Sequence, residues 1–137
     1  MLEEGRLLQE RYRIVRKLDE GGMGEVYLAH HVKLDAPVAI KTLLLGDDSS
    51  GQKERQEQFE MEGRLLASLS HSSLARVTDF FEEGSTGFLL MECIDGSTIE
   101  DVVGTRGPMG ESAALAWASE ILDALAYLHG RTPPHCA

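Results

Sequence analysis

The sequence predicts an α+β fold: a five-stranded antiparallel sheet with one packed helix, followed by further helices. Three observations predict it. The stretch from Leu18 to Lys41 reads as strand, glycine turn, strand, turn, strand. A helical stretch from about Gln52 to Leu69 separates this from two more strand-like runs joined by a loop at Gly84. The run from about Glu111 to His129 is apolar on almost every side, as for a helix buried in a larger body. A chain of 137 residues suits one ordinary domain with a moderate core, and 42% hydrophobic with 26% charged residues is a globular composition. The net charge of −10 argues against nucleic acid and against an anionic membrane surface as partners. Cys93 and Cys136 form no disulfide framework, so a reducing, cytoplasmic location is expected. The acidic start Met1-Leu2-Glu3-Glu4 is unlike a signal peptide, and no stretch is long and apolar enough to span a bilayer.

The elements follow in order. Residues 1–10 read as a polar lead-in. Tyr12 to Leu18 is a first strand with Tyr12, Ile14 and Leu18 on one face, and Glu25 to His31 returns. Lys33 to Ala36 is a turn, and Pro37 opens a third strand, where a missing N–H is tolerated. His30 and His31 lack the spacing of metal ligands and read as a solvated strand end. A polar loop spans Gly46 to Gly51. In the next helix Phe59, Glu62, Leu66 and Leu69 fall at i, i+3, i+7 and i+10, so they share a stripe. Glu62 is its outlier: a carboxylate facing a core needs a cation or donors, or costs several kcal/mol. It meets Lys41, or else lies on the rim beside Arg55 or Arg64. Arg76 to Glu82 and Thr86 to Glu92 are the fourth and fifth strands, with Phe88 to Met91 apolar on both faces. The capping-box pattern Ser97-x-x-Glu100 starts a short helix near Ser97, broken by Gly104 to Gly110. The last helix ends with Gly130 at C′. Leu115, Leu122 and Leu125 cover one side of it, and Trp117, Ile121 and Leu128 much of the rest; left uncovered, the Trp117, Ile121 and Leu128 surface favours self-association.

The chemistry centres on Gly21, Gly22, Gly24 and Lys41. Glycines without Cβ let a loop lie close to a ligand, backbone N–H groups meet phosphate oxygens, and the lysine adds a point charge. The glycine turn followed by Val38-Ala39-Ile40-Lys41 resembles the glycine-rich loop and lysine strand of protein kinases. The run Gly21-Gly22-Met23-Gly24-Glu25-Val26 resembles bacterial serine/threonine kinases in particular, and the resemblance covers about Tyr12 to Pro134. It implies an ATP-binding lobe at 12–94 and, at 95–137, the end of a hinge and the first helices of an incomplete second lobe. It implies that Leu18, Val26 and Ala39 sandwich adenine, that Met91 is the gatekeeper, and that the Glu92 carbonyl and Ile94 N–H hydrogen-bond the base. Lys41, paired with Glu62, would position the ATP phosphates. The complete parent would transfer the γ-phosphoryl of ATP to a protein hydroxyl, using Mg2+. His71-Ser72-Ser73-Leu74 resembles a family turn without its proline. Asp19 stands where the family's first glycine is found, and a solvated acid there would oppose phosphate by ~1 kcal/mol.

The family continues into a His-Arg-Asp loop and an Asp-Phe-Gly metal site, and neither occurs in these 137 residues, which supply no metal ligands. If His135 is encoded by CAT, the codons of His135-Cys136-Ala137 read one base later give Ile, then Val or Ala, then a codon starting with C, which His satisfies. This resembles the family's Ile-Val-His, so a frameshift or broken gene end is expected, with a contig edge as the competing explanation. The alternatives to the ATP-binding portion of a kinase are a non-catalytic regulatory module docking on another kinase and a fragment without function.

Overall fold

The computed structural model describes residues 2–21, 24–46, 51–94, 96–97 and 99–131. Gly22 of the expected glycine turn and the chain end from 132 lie outside the described residues. The chain divides into two compact units, Met1–Leu69 with Ala75–Cys93, and Ser70–Leu74 with Ile94–Ala137.

The first unit holds strands β1 (Leu7–Leu8), β2 (Tyr12–Gly21), β3 (Gly24–His31), β4 (Ala36–Leu44), β5 (Val77–Glu83) and β6 (Thr86–Glu92), and helix α1 (Gln52–Ala67). The strands form one antiparallel sheet of order β1-β2-β3-β4-β6-β5, six strands where five were expected. The addition is β1, inside the stretch read as a polar lead-in: Leu7 pairs with Arg13 and Leu8 with Tyr12. Leu8 is only 1% exposed. The sheet curls until its edges meet. Tyr12 Oη donates to Asp79 Oδ2 at 2.8 Å, and Arg6 and Gln9 reach Glu83 at 3.4 and 3.2 Å. Tyr12, Phe81 and Phe88 stack in series across the seam, with centroids 6.2 and 5.0 Å apart.

The curl encloses one core of Leu8, Tyr12, Ile14, Tyr27, Ala29, Ile40, Phe88 and Leu90. A second core of Leu45, Phe59, Val77 and Leu89 lies under α1 on the other face. Alternation along β6 sends Phe88 and Leu90 to the first and Leu89 to the second, the two-sided burial expected from its apolar run. Leu18 departs from the face of Tyr12 and Ile14: it is 42% exposed. Register shifts at Ile14/Arg16 and Lys17/Asp19 interrupt the alternation before the strand reaches it. Helix α1 seats very close. A Cβ on Gly63 would lie 2.8 Å from the Phe80 ring, and one on Gly87 2.8 Å from the Phe59 ring. Phe59 and Phe80 meet edge to face at 6.1 Å.

The second unit holds α2 (Ile99–Arg106) and α3 (Glu111–His129). Helix α2 starts at Ile99 and runs through Gly104, where a break was expected; Gly107, with φ +80°, ends it by donating to Val103 O at 2.9 Å. Gly130 caps α3 with right-handed angles (φ −82°, ψ −5°), so its freedom to adopt positive φ is unused. His71 ties Ser70–Leu74 to α3: its Nδ1 accepts from Ser73 N–H at 3.0 Å, and its Nε2 lies 3.0 Å from Asp123 Oδ2. Tyr127 Oη accepts from Ser70 N–H at 2.9 Å. On α3 only Ala124 and Leu128 are buried.

Candidate functional site

The glycine turn is the tip of the β2–β3 hairpin, with Glu20 opposite Glu25 and Gly21 opposite Gly24. Gly24 has φ +137°, and a Cβ there would lie 1.9 Å from Thr42 O, so both backbone angle and packing demand glycine. A Cβ at Gly21 would meet nothing within 4 Å. On the other side of β3, Val26 pairs with Lys41 and Leu28 with Ala39, and across β4 Ala39 pairs with Met91. Val38 and Ile40 face the first core, so Ala39 and Lys41 point to the opposite face, the one on which Leu43 and Met91 pack beneath α1. That face brings together Val26, Ala39, Lys41 and Met91, all half-buried, two residues from the glycine turn.

Lys41 makes no ion pair with any described residue. Glu62 is exposed, and its Oε1 accepts from Gln58 Nε2 at 3.2 Å on its own helix. In this structure the two expected partners are apart. The pairing of Glu62 with Arg55 or Arg64 is not found either: Arg55 donates to Leu45 O at 2.9 Å, and Arg64 pairs with Glu60 at 3.7 Å. Glu92 is anchored by its backbone N–H to Arg76 O at 3.0 Å and by its carboxylate to Arg76 N–H at 3.1 Å. Ile94 falls in the second unit and is exposed. Asp19 caps the chain locally, its Oδ1 accepting from Glu20 N–H at 2.8 Å. The described residues contain no group of three or more His, Cys, Asp or Glu side chains fit for a metal, His30 and His31 included. Cys93 is a free thiol.

A polar node beside the turn escaped the sequence reading. Tyr27 Oη donates to Glu25 Oε2 and accepts from Leu2 N–H at 3.0 Å, while Lys17 Nζ lies 3.6 Å from Glu25 Oε1 and 3.1 Å from Glu20 Oε2. The Tyr27 hydroxyl, then Lys17, holds the Glu25 carboxyl below its usual range. Burial, then the Glu25 carboxylate, pushes the Tyr27 phenol up. Hydrogen bonding to Glu20 raises Lys17. The register of β2 on β3 was the signal that could have revealed it, since Lys17 stands opposite Tyr27.

A glycine turn and, on the neighbouring strand, a lysine with no ion pair among the described residues, in one curled sheet with one helix, have the architecture of a lobe of the kinase type. Residues 12–136 match the sequence model of the protein kinase domain, and the chain belongs to the protein kinase family. It is 39% identical over 125 residues to the serine/threonine-protein kinase pkn2 of Myxococcus xanthus, covering 91% of this chain and 15% of that protein. It is 33% identical to PrkC of Bacillus subtilis, with 91% and 19% covered, and 35% identical to PknL of Mycobacterium tuberculosis, with 92% and 31% covered. The crystal structure of the M. tuberculosis PknI kinase domain superposes with a TM-score of 0.78 at 28% identity, over 94% of this chain and 51% of that one. The relatives are thus serine/threonine protein kinases, and the chain covers the N-terminal part of the kinase domain, between 15% and 31% of those relatives' lengths.

Proposed function

We propose that this chain is the ATP-binding portion of a bacterial-type serine/threonine protein kinase, whose whole transfers the γ-phosphoryl of ATP to a protein hydroxyl. The observation that carries the proposal is the Val26–Lys41 pairing two residues from Gly24, which sets a lysine with no ion pair among the described residues beside a hairpin end where Gly21 and Gly24 carry no side chain. In this reading the apolar side chains of Leu18, Val26, Ala39 and Met91 take the adenine, and the Glu92 carbonyl and Ile94 N–H supply its hydrogen bonds. The N–H groups of Gly21, Gly22 and Gly24 and the Lys41 ammonium take the phosphates. Glu62 joins Lys41 only when α1 turns it inward. The family uses Mg2+ with ATP; the described residues offer no metal cluster, so its handling is assigned to none of them. The 137-residue polypeptide on its own is expected to transfer no phosphoryl group, because it contains neither a His-Arg-Asp nor an Asp-Phe-Gly run.

Calorimetric titration with ATP tests this. Lys41→Met removes a charge-assisted contact worth about 1.5–3 kcal/mol, a loss of roughly 10–100-fold in affinity. Unchanged affinity in Lys41→Met would sink the assignment. A Lys41→Met, Glu62→Gln double-mutant cycle on stability is expected to be additive in the free chain and coupled only with ATP bound. A second reading, a non-catalytic regulatory module, draws on Asp19 in the turn and on the outward Glu62. Co-purification with a partner kinase, together with no ATP binding, would favour it.

A further inference from the structure

Past Lys41, strand β4 holds the glycine turn by a side chain instead of by its ladder. The Cα pairing of β3 with β4 runs from His31–Ala36 to Val26–Lys41 and stops there. One residue further, Glu25 N–H donates to Thr42 Oγ1 at 3.1 Å, and the Thr42 hydroxyl donates back to Glu25 O at 3.3 Å. A single hydroxyl therefore holds both backbone polar groups of the residue that follows Gly24. The Thr42 main chain closes on the same place, since Thr42 O occupies the space where a Gly24 Cβ would be.

We infer that Thr42 is a positioning residue for a phosphate-bearing ligand, its hydroxyl setting the distance between the glycine turn and the Lys41 ammonium. The inference rests on the nucleotide reading above. Along β4 successive side chains alternate between faces, so Thr42 points to the face opposite Lys41 and acts on the ligand through the turn alone. The two halves of the phosphate cradle sit on different strands, and small displacements in such constellations cost large factors. Val26, on the last rung, and Ala39, two rungs in, are both held by the β3–β4 ladder itself, so the apolar clamp for a base does not depend on the Thr42 hydroxyl.

Thr42→Val keeps the shape of the side chain and removes the hydroxyl; Thr42→Ser keeps the hydroxyl. The 137-residue chain and both variants are titrated with ATP and with adenosine, and amide hydrogen exchange at Glu25 is followed without ligand. Thr42→Val is expected to weaken ATP binding roughly ten-fold, to leave adenosine affinity unchanged and to speed exchange at Glu25. Thr42→Ser is expected to match the wild type. Equal losses for ATP and adenosine, an undiminished ATP affinity, or unchanged Glu25 exchange in Thr42→Val overturns the positioning role while the nucleotide reading stands. A wild-type chain that binds ATP no tighter than adenosine also overturns it, and one that binds neither overturns both readings. Should Thr42→Val fail to fold, Thr42→Ala carries the same readouts.

Discussion

Glu82 works against the fold it belongs to. Its Oε1 is shielded from solvent and has no hydrogen-bond partner among the described residues. Burial first, then the nearby Glu60 charge, raises its carboxyl above the usual range. The folded state thus keeps this proton to higher pH than the unfolded chain. Its contribution to stability falls as pH rises from the ordinary glutamate value through the raised folded one. Glu25 has the opposite sign: its carboxyl is held low, so its contribution is present above the ordinary value and lost as pH falls through the depressed one. Glu82→Gln is expected to stabilise the chain at pH 7 and to matter little at pH 4, measured by urea denaturation at both; an equal difference at the two pH values would refute the titration account. Gly24 and Lys41 were legible at this scale because backbone freedom and a strand-borne cation are written in residue type. Glu62 lies off the packed face of α1 in this structure for a physical reason. The packed stripe of α1 runs Phe59, Gly63 and the half-buried Leu66, and Gly63, at i+4, has no side chain to announce its burial. The carboxylate at i+3 therefore looked as though it faced the core.

Among the elements, β1 was the one the sequence concealed. Two apolar residues are too few for a period, and its turn carries Gln9 and Glu10, both at positive φ (51° and 56°), where Asn-Gly would have signalled a hairpin. That strain is removable. Gln9→Asn with Glu10→Gly is expected to stabilise the chain by ~1 kcal/mol, and Leu8→Ala to destabilise it by ~3 kcal/mol, both read from denaturation midpoints. The seating of α1 sets two effects against each other. Gly63→Ala gains about 1 kcal/mol of helix propensity, yet drives a methyl into the Phe80 ring at a cost of ~1–3 kcal/mol. Packing is expected to win, so the variant unfolds earlier, and a rise in melting temperature would show that α1 lifts off the sheet freely. The other strands and the long helices were legible because their apolar residues recur with period 2 or in long helical runs. The turn at Gly107 was less so, because Gly104 lay first in line.

At the scale of the whole molecule, the second unit exposes apolar side chains, but not on the face expected: of Trp117, Ile121 and Leu128, Leu128 is buried and Trp117 half-buried. Leu115, Ile121 and Leu122 are 63%, 50% and 64% exposed, and Trp117 borders an open groove with Leu74, Val102, Leu125 and Leu128. The 137-residue chain is expected to self-associate at tens of micromolar, and Leu115→Lys with Leu122→Lys to return it to a monomer in sedimentation. A wild-type monomer at high concentration would show the face to be inert. Among the described residues no helix is long and apolar enough to cross a membrane. The strand order β1-β2-β3-β4-β6-β5 has its own bearing on synthesis. The first four strands are neighbours in sequence and need nothing downstream in order to pair, but the free side of β4 belongs to β6. All of α1 and β5 must be made first. At translation speeds of about 5–20 residues per second the bare Val38–Leu44 edge waits for roughly 2–10 s, apolar and β-prone, with every nascent neighbour on the same messenger presenting the same edge.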